Sequence, residues 1–160
     1  MIKIYTIGVY NSTENEYFGK LKNNQIDLFC DIRQRRGVRG SQYKYVNSNY
    51  LQHRLSDMGI EYIYIKELAP TKEIRQKQKD ADKLNHETKK IRRNIGNIFS
   101  QEYSRQILAN FDMESLIKRI KIMGKRNIVF FCVEEHAEAC HRSLVAKKMG
   151  QLLGSEIINL

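Results

Sequence analysis

Short apolar runs alternate along the chain with longer stretches in which apolar residues recur every three or four positions. Ile2 to Ile7, Ile26 to Cys30, Ile60 to Ile65 and Ile128 to Phe131 are of the first kind, rich in the β-branched and aromatic residues that fill a buried pleat. Between them the spacing becomes helical. Tyr17, Phe18 and Leu21 mark one face of a helix capped by Ser12 or Thr13 and running to about Asn23. Tyr50, Leu51, Leu55 and Met58 mark a second, capped by Asn47 or Ser48. Residues 71–95 predict a long polar helix beginning at Thr71, and Ser100 to Phe111 and Met113 to Met123 predict two more. After the strand at 128–131, Leu144, Val145, Met149, Leu152 and Leu153 predict a helix that Gly154 stops, before a last short strand from Glu156 to Leu160.

Strand, helix, strand with short connections is the order of a parallel sheet, and its crossovers are right-handed. The expected fold is α/β: a single domain over residues 1–160, with a mainly parallel sheet and helices on both faces. Residues 66–111 read as a basic helical insertion, since Lys66 to Arg93 holds ten Lys or Arg against five acids and few apolar positions. Such a segment is expected to stand out from the core as an arm or lid.

Charge sharpens the picture. The chain has 160 residues, 28 Lys and Arg against 18 Asp and Glu, and a net charge of +10. That surplus favours polyanionic partners, nucleic acid or nucleotide. No apolar run reaches membrane-spanning length, so no membrane partner is expected. The amino-terminal residues enter a strand pattern at once, unlike a signal peptide, and three cysteines are an odd number for a disulfide framework. A reducing, cytoplasmic setting is the expectation.

Chemistry-bearing residues gather where strands should end. Asp31-Ile32-Arg33 follows the second strand, and Cys132-Val133-Glu134, then Cys140-His141-Arg142-Ser143, follow the fourth. Ligands of open α/β sheets sit at the carboxyl ends of the strands, and a helix start favours an anion. Arg33 begins a loop that also contains Arg35, Arg36 and Arg39, followed by Tyr43. Guanidinium groups grip phosphate in pairs of bonds, and tyrosine offers a face for a base.

The same residues carry a family resemblance. The C-x-E pattern at Cys132 to Glu134 followed by Cys140-His141-Arg142-Ser143 resembles the signature of the domain of unknown function 488 family. Thr6-Ile7-Gly8, Asp31-Ile32-Arg33 and Gly59-Ile60-Glu61-Tyr62 match it too, so the likeness spans nearly the whole chain. Val9-Tyr10 stands where that family commonly carries His-Ser. The resemblance implies a fold and a candidate site, and no reaction.

Three accounts of the cluster are open. In the first it is a catalytic anion pocket. Asp31, Cys132, Glu134, Cys140 and His141 are the candidates for chemistry, and Thr6, Gly8, Arg33, Arg35, Arg36, Arg39, Tyr43, Arg142 and Ser143 the candidates for binding. Glu134 or Asp31 would be a general base, and a cysteine beside His and Arg a possible nucleophile. In the second, zinc is held by Cys132, His136, Cys140 and His141. Adjacent Cys140 and His141 should point apart at a helix start, so neither a metal nor another cofactor is expected. In the third, the cysteines are core residues and Arg142 pairs with Glu134 or Asp31. A phosphatase loop fails because Glu138 stands six positions after Cys132, and no Walker loop or dinucleotide glycine fingerprint occurs. The function expected is that of a hydrolase or transferase acting on a phosphate-bearing nucleic acid or nucleotide. A non-catalytic nucleic-acid-binding module is the rival, and a thiol-dependent redox protein the third possibility.

Overall fold

Five parallel strands form one sheet in the order β3-β2-β4-β1-β5: β1 (Lys3–Ile7), β2 (Leu28–Asp31), β3 (Glu61–Tyr64), β4 (Asn127–Phe131) and β5 (Ile157–Asn159). The computed structural model describes residues 1–160. Alternation within strands sorts side chains to two cores. Ile4, Leu28, Cys30, Ile128 and Phe130 face one layer, and Tyr5, Phe29, Val129 and Phe131 face the other. Helices α1 (Glu14–Asn23) and α2 (Ser48–Asp57) cover the second face through Tyr17, Leu21, Leu51 and Leu55. On the first face lie α3 (Lys72–Leu84), α4 (Asn97–Tyr103), α5 (Met113–Ile122) and α6 (His141–Leu153). The α/β class, the parallel sheet and the helices on both faces are as the pattern predicts. No helix is long and apolar enough to cross a membrane.

Local chemistry explains most boundaries. Thr13 caps α1 in a reciprocal capping box with Glu16, Thr71 caps α3 by accepting from the Ile74 amide, and Asp112 caps α5 by accepting from the Ser115 amide. Two expectations fail. Tyr50, assigned to the core face of α2, is 43% exposed, and its hydroxyl meets the Glu14 carboxylate instead. The long helix over 71–95 stops at Leu84. Asn85 caps it, His86 takes a left-handed φ of 54°, and residues 85–96 run as turns.

Nor does this segment stand away from the body. Ile74 and Phe99 join the core, Gln78, Asp82 and Arg92 are buried, and the Ile95 amide donates to the Glu138 carbonyl. The basic insertion therefore lies over the carboxyl ends of β2 and β4. There the chain leaves β2 toward α2 on one face and β4 toward α6 on the other. Oppositely directed exits from neighbouring strands open a crevice between them.

Candidate functional site: a cationic cavity at the ends of β2 and β4

At the end of β2, Asp31 is completely buried and accepts four hydrogen bonds. The Arg33 amide (3.1 Å) and Nε (2.9 Å) reach Oδ1; Arg33 Nη2 (2.7 Å) and the Tyr62 hydroxyl (2.9 Å) reach Oδ2. A carboxylate offers about four acceptor positions, so none is left to take a proton from a substrate. The expected catalytic role of Asp31 gives way to another: it anchors Arg33. The Arg33 guanidinium lies 4.6 Å from the centre of the Phe131 ring, and its Nη1 alone has no partner.

At the end of β4 the backbone comes very close to β1. A Cβ on Gly8 would collide with the Glu134 carbonyl and lie 3.1 Å from Arg142 Nη2. Arg142 is 1% exposed; its Nη1 donates to the Glu134 carbonyl (2.6 Å) and its Nη2 to that of Glu135 (3.0 Å). This overturns the expectation that Arg142 and Arg33 share an anion. Its two terminal nitrogens hold the 134–135 loop, its Nε is buried without a partner, and the residue does not line the cavity. Gly8 likewise serves close backbone approach. Thr6 donates to Asn159 Oδ1 (2.7 Å), tying β1 to β5, and Ser143 donates to the Cys140 carbonyl (2.9 Å). None of these three lines the cavity.

Glu134 does. It is 4% exposed, its Oε1 accepts from Arg92 Nη2 (3.0 Å) with Lys89 Nζ at 3.7 Å, and its Oε2 has no partner within the protein. Arg92 bridges further, to Asp82 (2.9 Å) and the Ala139 carbonyl (3.0 Å). Sequence reading missed Arg92, Asp82 and Lys89. Their only signal was the basic run, read as an arm or lid standing out from the core.

Behind Glu134 lie Cys132, Cys140 and His141, all buried and with both thiols free. The expectation that Cys140 and His141 diverge is overturned. Cys140 keeps an extended backbone (φ −138°, ψ 147°) and His141 is the first residue of α6, and this change of conformation brings Cys140 Sγ to 3.6 Å from His141 Nδ1. His141 Nε2 lies 3.0 Å from the Ile32 carbonyl, an acceptor only, so Nε2 carries a proton, and in the neutral ring Nδ1 presents a lone pair. Interaction between the two neighbouring thiols, together with burial, pushes the Cys132 thiol up to about 11. That is the opposite of an activated thiolate. One ligand atom from each of the three residues lies within 4.8 Å of the others, whereas His136 is exposed beside Glu135 and outside the group.

The cavity in front of these groups has a volume of about 640 Å³. Its floor is Arg33, Cys132, Glu134 and His141; Arg35, Arg39 and Tyr43 form one wall; α3 and residues 87–92 form the roof. Nine Lys or Arg line it against three acids, so its lining carries a positive excess. Arg36 is not among them, lying 4.4 Å over the Tyr64 ring. The Tyr43 hydroxyl accepts from the Asn11 amide (3.0 Å) and its ring tilts against Tyr10, so it is a fixed part of the wall.

The family model described as Domain of unknown function DUF488 matches residues 13–149. No curated protein and no solved structure matches the chain.

Proposed function

The chain belongs to the DUF488 family, and from that premise we propose that it is a cytoplasmic enzyme acting on a phosphate-bearing nucleotide or nucleic acid. The observation that carries the reading is Glu134: a buried carboxylate held at one oxygen by Arg92, unpaired at the other, on the floor of a cavity lined by nine Lys or Arg and only two other acids, Asp82 and Glu87. A module that only grips phosphate gains nothing from a carboxylate there, since it repels the ligand. A hydrolase or transferase gains a general base whose position is fixed before substrate arrives. The volume of about 640 Å³ suits one nucleotide unit, within the usual range for small-ligand sites. Arg35 and Arg39 supply phosphate contacts, and the Arg33 guanidinium adds positive charge beneath them. The Cys132 thiol, pushed up to about 11, lends no support to the thiol redox alternative.

The test is Glu134→Gln, which keeps an acceptor for Arg92 and removes the base. Wild-type protein and variant are incubated with mononucleotides and single-stranded oligonucleotides, with products read by mass spectrometry and affinity by calorimetry. The variant should lose about 10²–10⁴-fold in rate at nearly unchanged Kd. An unchanged rate removes Glu134 from the chemistry. Binding without turnover of any substrate by the wild type favours the non-catalytic module.

A further inference from the structure

We infer that Cys132, Cys140 and His141 form a three-ligand zinc site whose fourth position opens into the cavity. Two thiols and one imidazole, from the end of β4 and the start of α6, present their ligand atoms within 4.8 Å of one another. Tetrahedral zinc, with bonds of about 2.3 Å to sulfur and 2.0 Å to nitrogen, sets sulfur and nitrogen about 3.5 Å apart. Cys140 Sγ and His141 Nδ1 are 3.6 Å apart already. Only the wider separations must close, by about 1 Å.

The imidazole is prepared for the role. Ligating histidines commonly donate their other ring N–H to a carbonyl or carboxylate, which fixes the tautomer, and His141 Nε2 meets the Ile32 carbonyl in this way. The ring is further held against Tyr103 at 5.4 Å. Thiolate and imidazole donors favour zinc over magnesium or calcium. An iron–sulfur cluster is a poor fit, because the third cysteine, Cys30, belongs to the core on the opposite face of the sheet. Three protein ligands with one open position is the arrangement of catalytic rather than structural zinc. Cys132 and His141 both line the cavity, so the open position faces the space in which substrate would lie. The inference stands on the ligand geometry alone and holds whether or not Glu134 acts as a base.

The experiment titrates reduced, metal-free full-length protein with Co²⁺ alone, followed by Zn²⁺ alone as competitor. The expected result is one Co²⁺ per chain, with thiolate-to-cobalt charge-transfer absorption and intense tetrahedral d–d bands that Zn²⁺ abolishes. Cys132→Ser and Cys140→Ser should each lose the charge-transfer intensity, while Cys30→Ser keeps it. Because Cys140→Ser sits at a helix start and can impair folding, Zn²⁺ protection of the wild-type thiols from alkylation is read by mass spectrometry. Cys132 and Cys140 should be shielded together at one equivalent, and Cys30 left unaffected. Absence of the charge-transfer band in the reduced wild type, its persistence in Cys132→Ser, or alkylation indifferent to Zn²⁺ would overturn the assignment. Phosphate and oligonucleotide binding by the metal-free protein is measured separately, so a failure here leaves the substrate reading standing.

Discussion

A methyl group placed on Gly8 would drive into the Glu134 carbonyl, the oxygen that also accepts from Arg142. Both partners in the clash are backbone, so neither can swing aside. Gly8→Ala should therefore cost about 2–3 kcal/mol, a fall in Tm on the order of 5–10 °C by calorimetry. An unshifted Tm would mean that the two turns separate freely. The same contact shows where sequence reading runs out at this scale. Residue types and their strand-end positions were legible, and Asp31, Arg33, Cys132, Glu134, Cys140 and His141 do converge. What each side chain bonds to was not. Arg142 looks like an anion clamp in the chain and is a loop clamp in the fold, because two carbonyls from a polar loop arrive within its reach. Asp31 looks like a base and is saturated by its own neighbour two residues on.

The sheet was readable because its strands alternate between two buried faces, a period that few other arrangements produce. The segment after α3 was not. Polar residues continue through 85–96 with no change of composition where the helix stops, and the side chain that makes the most ties folding them inward is one arginine. Arg92 satisfies Asp82, Glu134 and the Ala139 carbonyl at once, at 7% exposure. Arg92→Ala leaves Asp82 with only Gln78 and Glu134 with only Lys89 at 3.7 Å, a loss of about 3 kcal/mol if it reaches the global equilibrium. The expected signature by hydrogen exchange is faster opening of residues 85–96, with the amides of β1, β2 and β4 little changed. Uniform acceleration across the chain would show instead that the roof and the sheet unfold together.

For the molecule as a whole, the net charge of +10 concentrates where it meets the crevice. Arg35, Arg39, Lys79, Lys83 and Lys90 line the cavity with no ion pair to the protein's own carboxylates, unlike Arg33 and Arg92. If these meet phosphates of a single strand, log K against log salt should fall with a slope of about −0.7 for each contact. Fluorescence anisotropy with a labelled oligonucleotide across a salt series measures it. Arg35→Ala with Arg39→Ala should flatten the slope by about 1.4, and a slope already near zero in the wild type would exclude phosphate contact. The floor and the roof of the crevice come from separate parts of the chain. Strand ends near residues 31–33 and 132–141 build one, and the segment joining β3 to β4 builds the other. Exchanging the cover would therefore leave the strand ends where they are but take away Arg92, the partner that holds Glu134 in place.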